Sequence, residues 1–199
     1  MAGLLSNLRN TLIVSFLLSV VIIAGYEVHH GGVDQMFWQA VFRWMHVVFG
    51  ILWIGLLYYF NFVQIRKMPE IPAELKPAVS KYIAPEALFW FRYAALLTWV
   101  MGVILAWNRG YLVDAFALGL TDHNPAHTFI GLGMWLATIM FINVWHFIWP
   151  AQKIALGIVE ADADAKAKAA RKAMLFSRIN TLLSLPMLAT MAMNQTIFG

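Results

Sequence analysis

The chain has 199 residues, of which 61% are hydrophobic and only 12% charged. Soluble domains carry about 25% charged residues. Charge this sparse, gathered between long uncharged runs, excludes an ordinary water-soluble domain and points to lipid as the solvent. The formal charge is +4 and there is no cysteine. The missing thiols exclude disulfides, thiolate metal sites, iron–sulfur clusters and covalently attached c-type haem. The basic loops suit anionic lipid and require no nucleic acid.

About 20 apolar residues span a bilayer. Five segments meet that length, over about 8–26, 39–65, 86–108, 126–149 and 174–197. The expected fold class is an all-α integral membrane protein, a single domain over 1–199 with five transmembrane helices and no separate soluble module. The first segment ends in VIIAGYE, without a small-x-small cleavage site, and reads as a retained helix rather than a secretory signal. Arg66, Lys67, Lys76 and Lys81 lie between the second and third segments. Lys153, Lys166, Lys168, Arg171 and Lys172 lie between the fourth and fifth. The other two connections lean acidic, with Glu27 and Asp34 in one and Asp114 and Asp122 in the other. By the positive-inside rule the N-terminus is cytoplasmic and the C-terminus outside.

The connections have their own signatures. MPEIPAELKPAVSKYIAPEA holds four of the seven prolines and reads as a structured turn. QKIALGIVEADADAKAKAARKAM reads as a solvated helix, with Asp162–Lys166 and Asp164–Lys168 as i,i+4 pairs. It serves as a spacer or as a docking surface. YLVDAFALGL is too short to span and is expected at the interface. Trp38, Trp44, Trp107 and Tyr111 fit an aromatic belt. His29, His30 and His123 fall in loops whose glycines and Asn124-Pro125 suit turns.

Two histidines carry the chemical argument. His46 in RWMHVVFGILWIG and His127 in PAHTFIGLGMWLA each have a glycine four residues later, Gly50 and Gly131. An ionisable side chain in a lipid-spanning helix needs a partner, and a glycine one turn along the same face removes bulk beside the ring. A flat ligand can then approach. Paired at similar depth, the two imidazoles suit axial ligation of a non-covalent haem b, with Arg43 one turn from His46 placed to pair with a propionate. The competing reading is interhelical hydrogen bonding by the histidines and close packing by the glycines. Arg43, His46, Gly50, Trp53, Leu57 and Gln64 form one stripe, and His127, Gly131, Met134 and Thr138 another. His123 is the alternative to His127.

Other polar residues have blander readings. His146 lies 19 residues past His127, roughly 28 Å along a helix, so it cannot share one haem with it. It hydrogen-bonds a neighbouring helix, ligates a second haem or contacts a quinone. Arg92 snorkels to the interface or pairs with an anion. Asn180 supplies polar contacts, and Pro186 kinks the last helix. No Asp or Glu lies deep in a span, which disfavours a proton-coupled transporter.

The strings RWMHVVFGILWIGLLYYFNF, NVWHFIWPAQK and SRINTLLSLPMLATM resemble the N-terminal membrane domain of the bacterial membrane-bound urate oxidase family. The resemblance covers the second helix and about 127–193, and places His46, Asn143, Trp145 and Asn180 within matched motifs. A fainter likeness, through the H-x3-G-x2-WIG helix, is to membrane oxidoreductases of the protoporphyrinogen oxidase type. The urate oxidase resemblance implies redox work in the bacterial cytoplasmic (inner) membrane, with electrons passed to a cytochrome c domain at the C-terminus. Here the chain reaches Gly199 with no Cys-x-x-Cys-His, so the expected acceptor is a separate protein, a cytochrome c or a larger redox complex. The expected function is haem-b electron transfer or oxidoreduction. The alternative is a non-catalytic accessory subunit of a respiratory or photosynthetic complex.

Overall fold

The computed structural model describes residues 2–30 and 32–198. Met1, Gly31, Gly199 and the His30 side chain lie outside the described residues, and so does the turn role expected of Gly31. Among the described residues every regular element is helical. The chain divides into two compact units, Met1–Ala40 and Val41–Gly199.

In the first unit a helical turn, Ala2–Leu5, precedes α1, Leu8–His30. Asn7 opens α1, its Oδ1 accepting from the Asn10 N–H at 3.3 Å, as a short polar side chain does at a helix start. α1 is apolar on all sides and no residue of its apolar stretch is buried by protein. Asp34 caps the next helix by accepting from the Phe37 N–H at 2.8 Å.

The remaining helices are α2, Gln35–Glu70, α3, Lys76–Asn108, α4, Leu112–Phe116, α5, Pro125–Ala155, and α6, Ala163–Phe198. Side-chain pairs fix how the long ones pack. His46 and Phe60 of α2 meet Thr98 and Phe91 of α3. Trp99 and Tyr93 of α3 meet Thr138 and Trp145 of α5. Asn143 and Phe147 of α5 meet Asn180 and Phe176 of α6. Arg43, Tyr58 and Asn61 of α2 meet Gln195, Ser184 and Ser177 of α6. In every pair rising numbers meet falling ones, so each neighbour is antiparallel. α2, α3, α5 and α6 close a ring in which α2 and α5 run parallel on opposite sides. Its buried centre includes Trp53, Leu57, Phe91, Met140 and Val144.

Four helices, α1, α2, α3 and α5, are long and apolar enough to cross a membrane. The fifth expected span is helical but differs from them. It starts in the charged stretch at Ala163 and runs unbroken to Phe198, through Pro186. Its inner face is polar, with Ser177, Asn180, Ser184 and Thr190 buried. Asn180 shows why a helix keeps such residues away from lipid. Its Nδ2 donates to the Met140 carbonyl at 3.0 Å, and its Oδ1 accepts from Asn143 Nδ2 at 2.9 Å. Interhelical bonds of this kind contribute about 0.6–2 kcal/mol each in a membrane.

Two local expectations change, and two features are added to them. Asp162 forms no ion pair with Lys166 among the described residues. Its carboxylate accepts from the Ala165 N–H at 2.7 Å instead, because a free amide in the first turn of a helix is a better-placed partner than a mobile ammonium. YLVDAFALGL folds as α4 and a turn packed on α5, with Trp135 Nε1 donating to the Phe116 carbonyl at 2.9 Å and Thr128 Oγ1 to the Leu118 carbonyl at 2.8 Å. The proline-rich turn is shorter than expected, since α3 begins at Lys76. Finally, α2, α3 and α5 contain π-helical turns at Tyr59–Gln64, Val79–Ile83 and Asn143–Ile148, which periodicity at 3.6 residues could not reveal.

Candidate functional site

A cavity of about 620 Å³ lies between α2, α3, α5 and α6. Arg43, His46, Gly50 and Trp53 line it from α2, Gly102 and Arg109 from α3, Met134 and Thr138 from α5, and Met191 from α6. Small residues leave the room: where Gly50 and Gly102 face inward, a larger side chain would fill the gap. The walls are otherwise mostly apolar, as in small-molecule sites of about 300–1,000 Å³.

His46 is held by α3. Its Nδ1 lies 2.8 Å from the Thr98 carbonyl oxygen. A carbonyl only accepts, so Nδ1 carries the proton and Nε2 keeps its lone pair. Nε2 has no hydrogen-bond partner among the described residues. Gly102 makes the bond to Thr98 possible, because a Cβ there would sit 2.9 Å from both Cε1 and Nδ1 of the ring. Gly50, expected to clear the space beside His46, has an ordinary surrounding: a Cβ there would meet only Thr98 Cγ2, at 3.7 Å. It lines the cavity rather than shielding the imidazole.

The cavity mouth is cationic. Arg43 donates to Gln195 Oε1 at 3.0 Å, while its buried Nε finds no partner. The Arg109 guanidinium lies 5.7 Å from the Tyr111 ring centre. Neither arginine pairs with a carboxylate among the described residues. Tyr111 also lines this cavity. Burial raises its phenol pKa, and Arg109 and then Arg43 only partly offset that rise, so the hydroxyl stays protonated beside both cations.

His127 lies elsewhere. It lines an adjoining cleft of about 400 Å³ that shares Arg43, Arg109, Tyr111 and Asn194 with the cavity. Asn124-Pro125 places it: Asn124 Oδ1 accepts from the Ala126 N–H at 3.0 Å and Pro125 occupies the first turn, the favoured start of a helix. His127 Nδ1 pairs with Asp122, and the ring lies 5.6 Å from that of Tyr111. Asp122 is only slightly desolvated, which pulls its pKa up, but the Asn124 N–H and His127 together hold the carboxyl below its usual value. Asp114, Asp122 and His127 bring one possible metal-ligating atom each within 4.8 Å of one another. Asp114 already accepts from Thr121 Oγ1 at 2.6 Å.

Gly131 corrects the expectation that it makes room beside His127. It faces α4, where a Cβ would collide with the Ala115 carbonyl oxygen. Its lack of a side chain serves close packing, and no ligand space lies against it. His123 adopts a positive φ of 54° in an exposed turn and lines neither cavity. His146 is exposed on a π-helical turn and bonds no neighbouring helix among the described residues. Of the expected site, Arg43, His46 and Gly50 come together, His127 occupies the neighbouring cleft and Gly131 belongs to neither. Sequence reading missed Gly102, Arg109 and Tyr111 as site residues. Only the antiparallel register of α2 and α3 brings them to His46 and Arg43.

Residues 112–198 match the family model described as urate oxidase N-terminal. No curated protein and no solved structure matches. The matched stretch contains NVWHFIWPAQK and SRINTLLSLPMLATM but stops short of α2, which carries His46. From α4 through α6, the chain is similar to that family.

Proposed function

We propose that this is a five-span protein of a bacterial cytoplasmic membrane that binds haem b in the central cavity and transfers electrons, alone or as part of a membrane oxidoreductase. His46 would hold its iron through an imidazole nitrogen. One observation carries the reading: His46 lines a cavity of about 620 Å³, bonds Thr98 through Nδ1 and leaves Nε2 without a partner among the described residues. Metal-ligating histidines almost always donate their other N–H to a carbonyl or carboxylate.

The donor set fits the group. Arg43 and Arg109 stand unneutralised where the two carboxylates of a haem need charge-assisted partners. The apolar lining excludes water and favours a large flat macrocycle. When bound, haem supplies one-electron chemistry whose potential responds to surrounding polarity. The chain's own part is to fix the imidazole tautomer, hold the anionic edge at the mouth and keep the interior dry. His127 shares the same wall of arginines, and its Nδ1 is likewise engaged, by Asp122. It would be the second residue to hold the group.

The five-span reading adds α6 to the four apolar helices, its polar face turned inward. Basic residues after α2 and α5 support an N-terminus inside. The electron partner in this reading is a cytochrome c or a larger redox complex.

The test is a reduced-minus-oxidised spectrum of the purified chain with a haem-to-protein ratio. A b-type band that disappears in His46→Ala and persists in His127→Ala is the expected result. Loss in both variants establishes two histidine ligands. No b-type signal in correctly folded protein overturns the cofactor.

A further inference from the structure

The end of the bundle that carries Lys153 gathers cations and donors without acceptors. The Arg92 guanidinium lies over the Trp149 ring, 3.4 Å from its centre, and Lys153 Nζ lies 5.9 Å from the same centre. Stacking of this kind orients a cation and offsets part of its desolvation, but leaves its N–H groups unsatisfied. Arg92 Nη1 is buried with no hydrogen-bond partner, and Trp145 Nε1 is in the same condition.

These donors share one face. Trp145, Trp149 and Lys153 recur at four-residue steps along α5. The face is turned toward α3, since Arg92 covers Trp149 and Tyr93 meets the Trp145 ring edge-on at 6.0 Å. No carboxylate answers them. The ion pairs among the described residues are Lys67–Glu70 and His127–Asp122. Glu86, the acid nearest Arg92 in sequence, accepts from Trp90 Nε1 at 2.8 Å.

A guanidinium fork, an ammonium and an indole N–H with no acceptor among them call for an anion bearing several oxygens. A phosphate meets that need, because its oxygens accept from a planar fork and from further donors at once. The depth also fits. Arg92 is six residues past Glu86, roughly 9 Å along the helix. A long basic side chain covers most of such a distance toward the headgroup layer.

We propose that Arg92, Lys153 and Trp145 form a phosphate-binding site between α3 and α5, filled by the phosphodiester of an anionic membrane lipid. Basic pockets between transmembrane helices hold lipid headgroups in this way. The proposal rests on the membrane reading above but not on the cofactor. The b-type spectrum of each variant separates the two, since Arg92, Lys153 and Trp145 do not line the cavity.

The experiment compares the purified full chain with Arg92→Gln/Lys153→Gln and with Trp145→Phe, which keeps the ring and removes the N–H. Bound phospholipid is measured by native mass spectrometry after a detergent wash. Thermal midpoints are recorded with added phosphatidylglycerol, phosphatidylcholine or inorganic phosphate. Retention of phosphatidylglycerol and a rise in midpoint with it are expected in the wild type, lost in the double variant and weakened in Trp145→Phe. Should the double variant fail to fold, Trp145→Phe carries the comparison. Stabilisation by inorganic phosphate alone would keep the anion site and overturn its lipid source. Equal retention in wild type and Trp145→Phe, or equal stabilisation by phosphatidylcholine, overturns the proposal.

Discussion

α2 and α5 run parallel on opposite sides of the bundle, and each carries a histidine followed by a glycine four residues later. The shared pattern leads to two different environments. On α2, His46 faces the central cavity and Gly50 lines it. On α5, His127 pairs with Asp122 in the adjoining cleft, and Gly131 lies hard against the backbone of α4. The i+4 rule correctly predicts that histidine and glycine share a face. It does not say what covers that face. The glycine that makes room for His46 comes from α3, at Gly102.

The sharpest way to break this contrast is Gly131→Ala. Its Cβ would collide with the Ala115 carbonyl oxygen, a backbone atom that cannot swing aside. Overpacking costs about 1–3 kcal/mol, and displacing α4 also endangers the bonds from Trp135 and Thr128. A marked fall in thermal midpoint in detergent is expected. An unchanged midpoint would mean that α4 does not pack on α5 as described.

Gly102→Ala should act second, and on the site more than on the fold. The added methyl would sit 2.9 Å from the His46 ring, so the imidazole must turn and give up its bond to Thr98. The lost hydrogen bond costs about 1 kcal/mol. If haem b fills the cavity as proposed, its signal should drop much further than the stability does. A variant with full signal would show that Thr98 does not set the His46 tautomer.

Sequence pattern made the helices legible because apolar length and charge placement act locally. The stripe Arg43, His46, Gly50, Trp53 emerged as one cavity wall for the same reason. α6 was only partly legible. Its Ser177, Asn180 and Ser184 lower its apolar character, and only their partners Asn61, Asn143 and Tyr58 explain why they are there. Arg109 and Tyr111 looked like loop and interface residues. They join the site because α3 is antiparallel to α2, a tertiary fact absent from either segment alone. The same holds for Ala115 against Gly131, where neither residue advertises a contact.

A smaller effect should come from acid. The Asp122 carboxyl is held below its ordinary 3.8 by the Asn124 N–H and His127. A group with a depressed folded pKa contributes its stability above the unfolded value and loses it as pH falls through the folded one. The turn that places His127 should therefore hold at neutral pH and loosen only below about pH 4. Asp122→Asn should show the loosened state already at pH 7, read as faster amide exchange over 122–128, with the acid-dependent step gone. If that step persists in the variant, another carboxylate governs the turn.

Gly50→Ala should have the least effect on the fold, and for that reason separates two roles a glycine can play. Its Cβ would meet Thr98 Cγ2 at 3.7 Å, an ordinary contact. Replacing a helical glycine with alanine gains about 0.5–1 kcal/mol of backbone entropy, so the thermal midpoint should hold or rise slightly. The new methyl nevertheless projects into the cavity beside His46. With haem bound there, the variant should keep its fold while its haem-to-protein ratio falls, the reverse of Gly131→Ala, where the fold yields first. If both stability and haem content stay at the wild-type level, Gly50 is not in contact with the macrocycle, and the cofactor must sit nearer the arginines at the mouth.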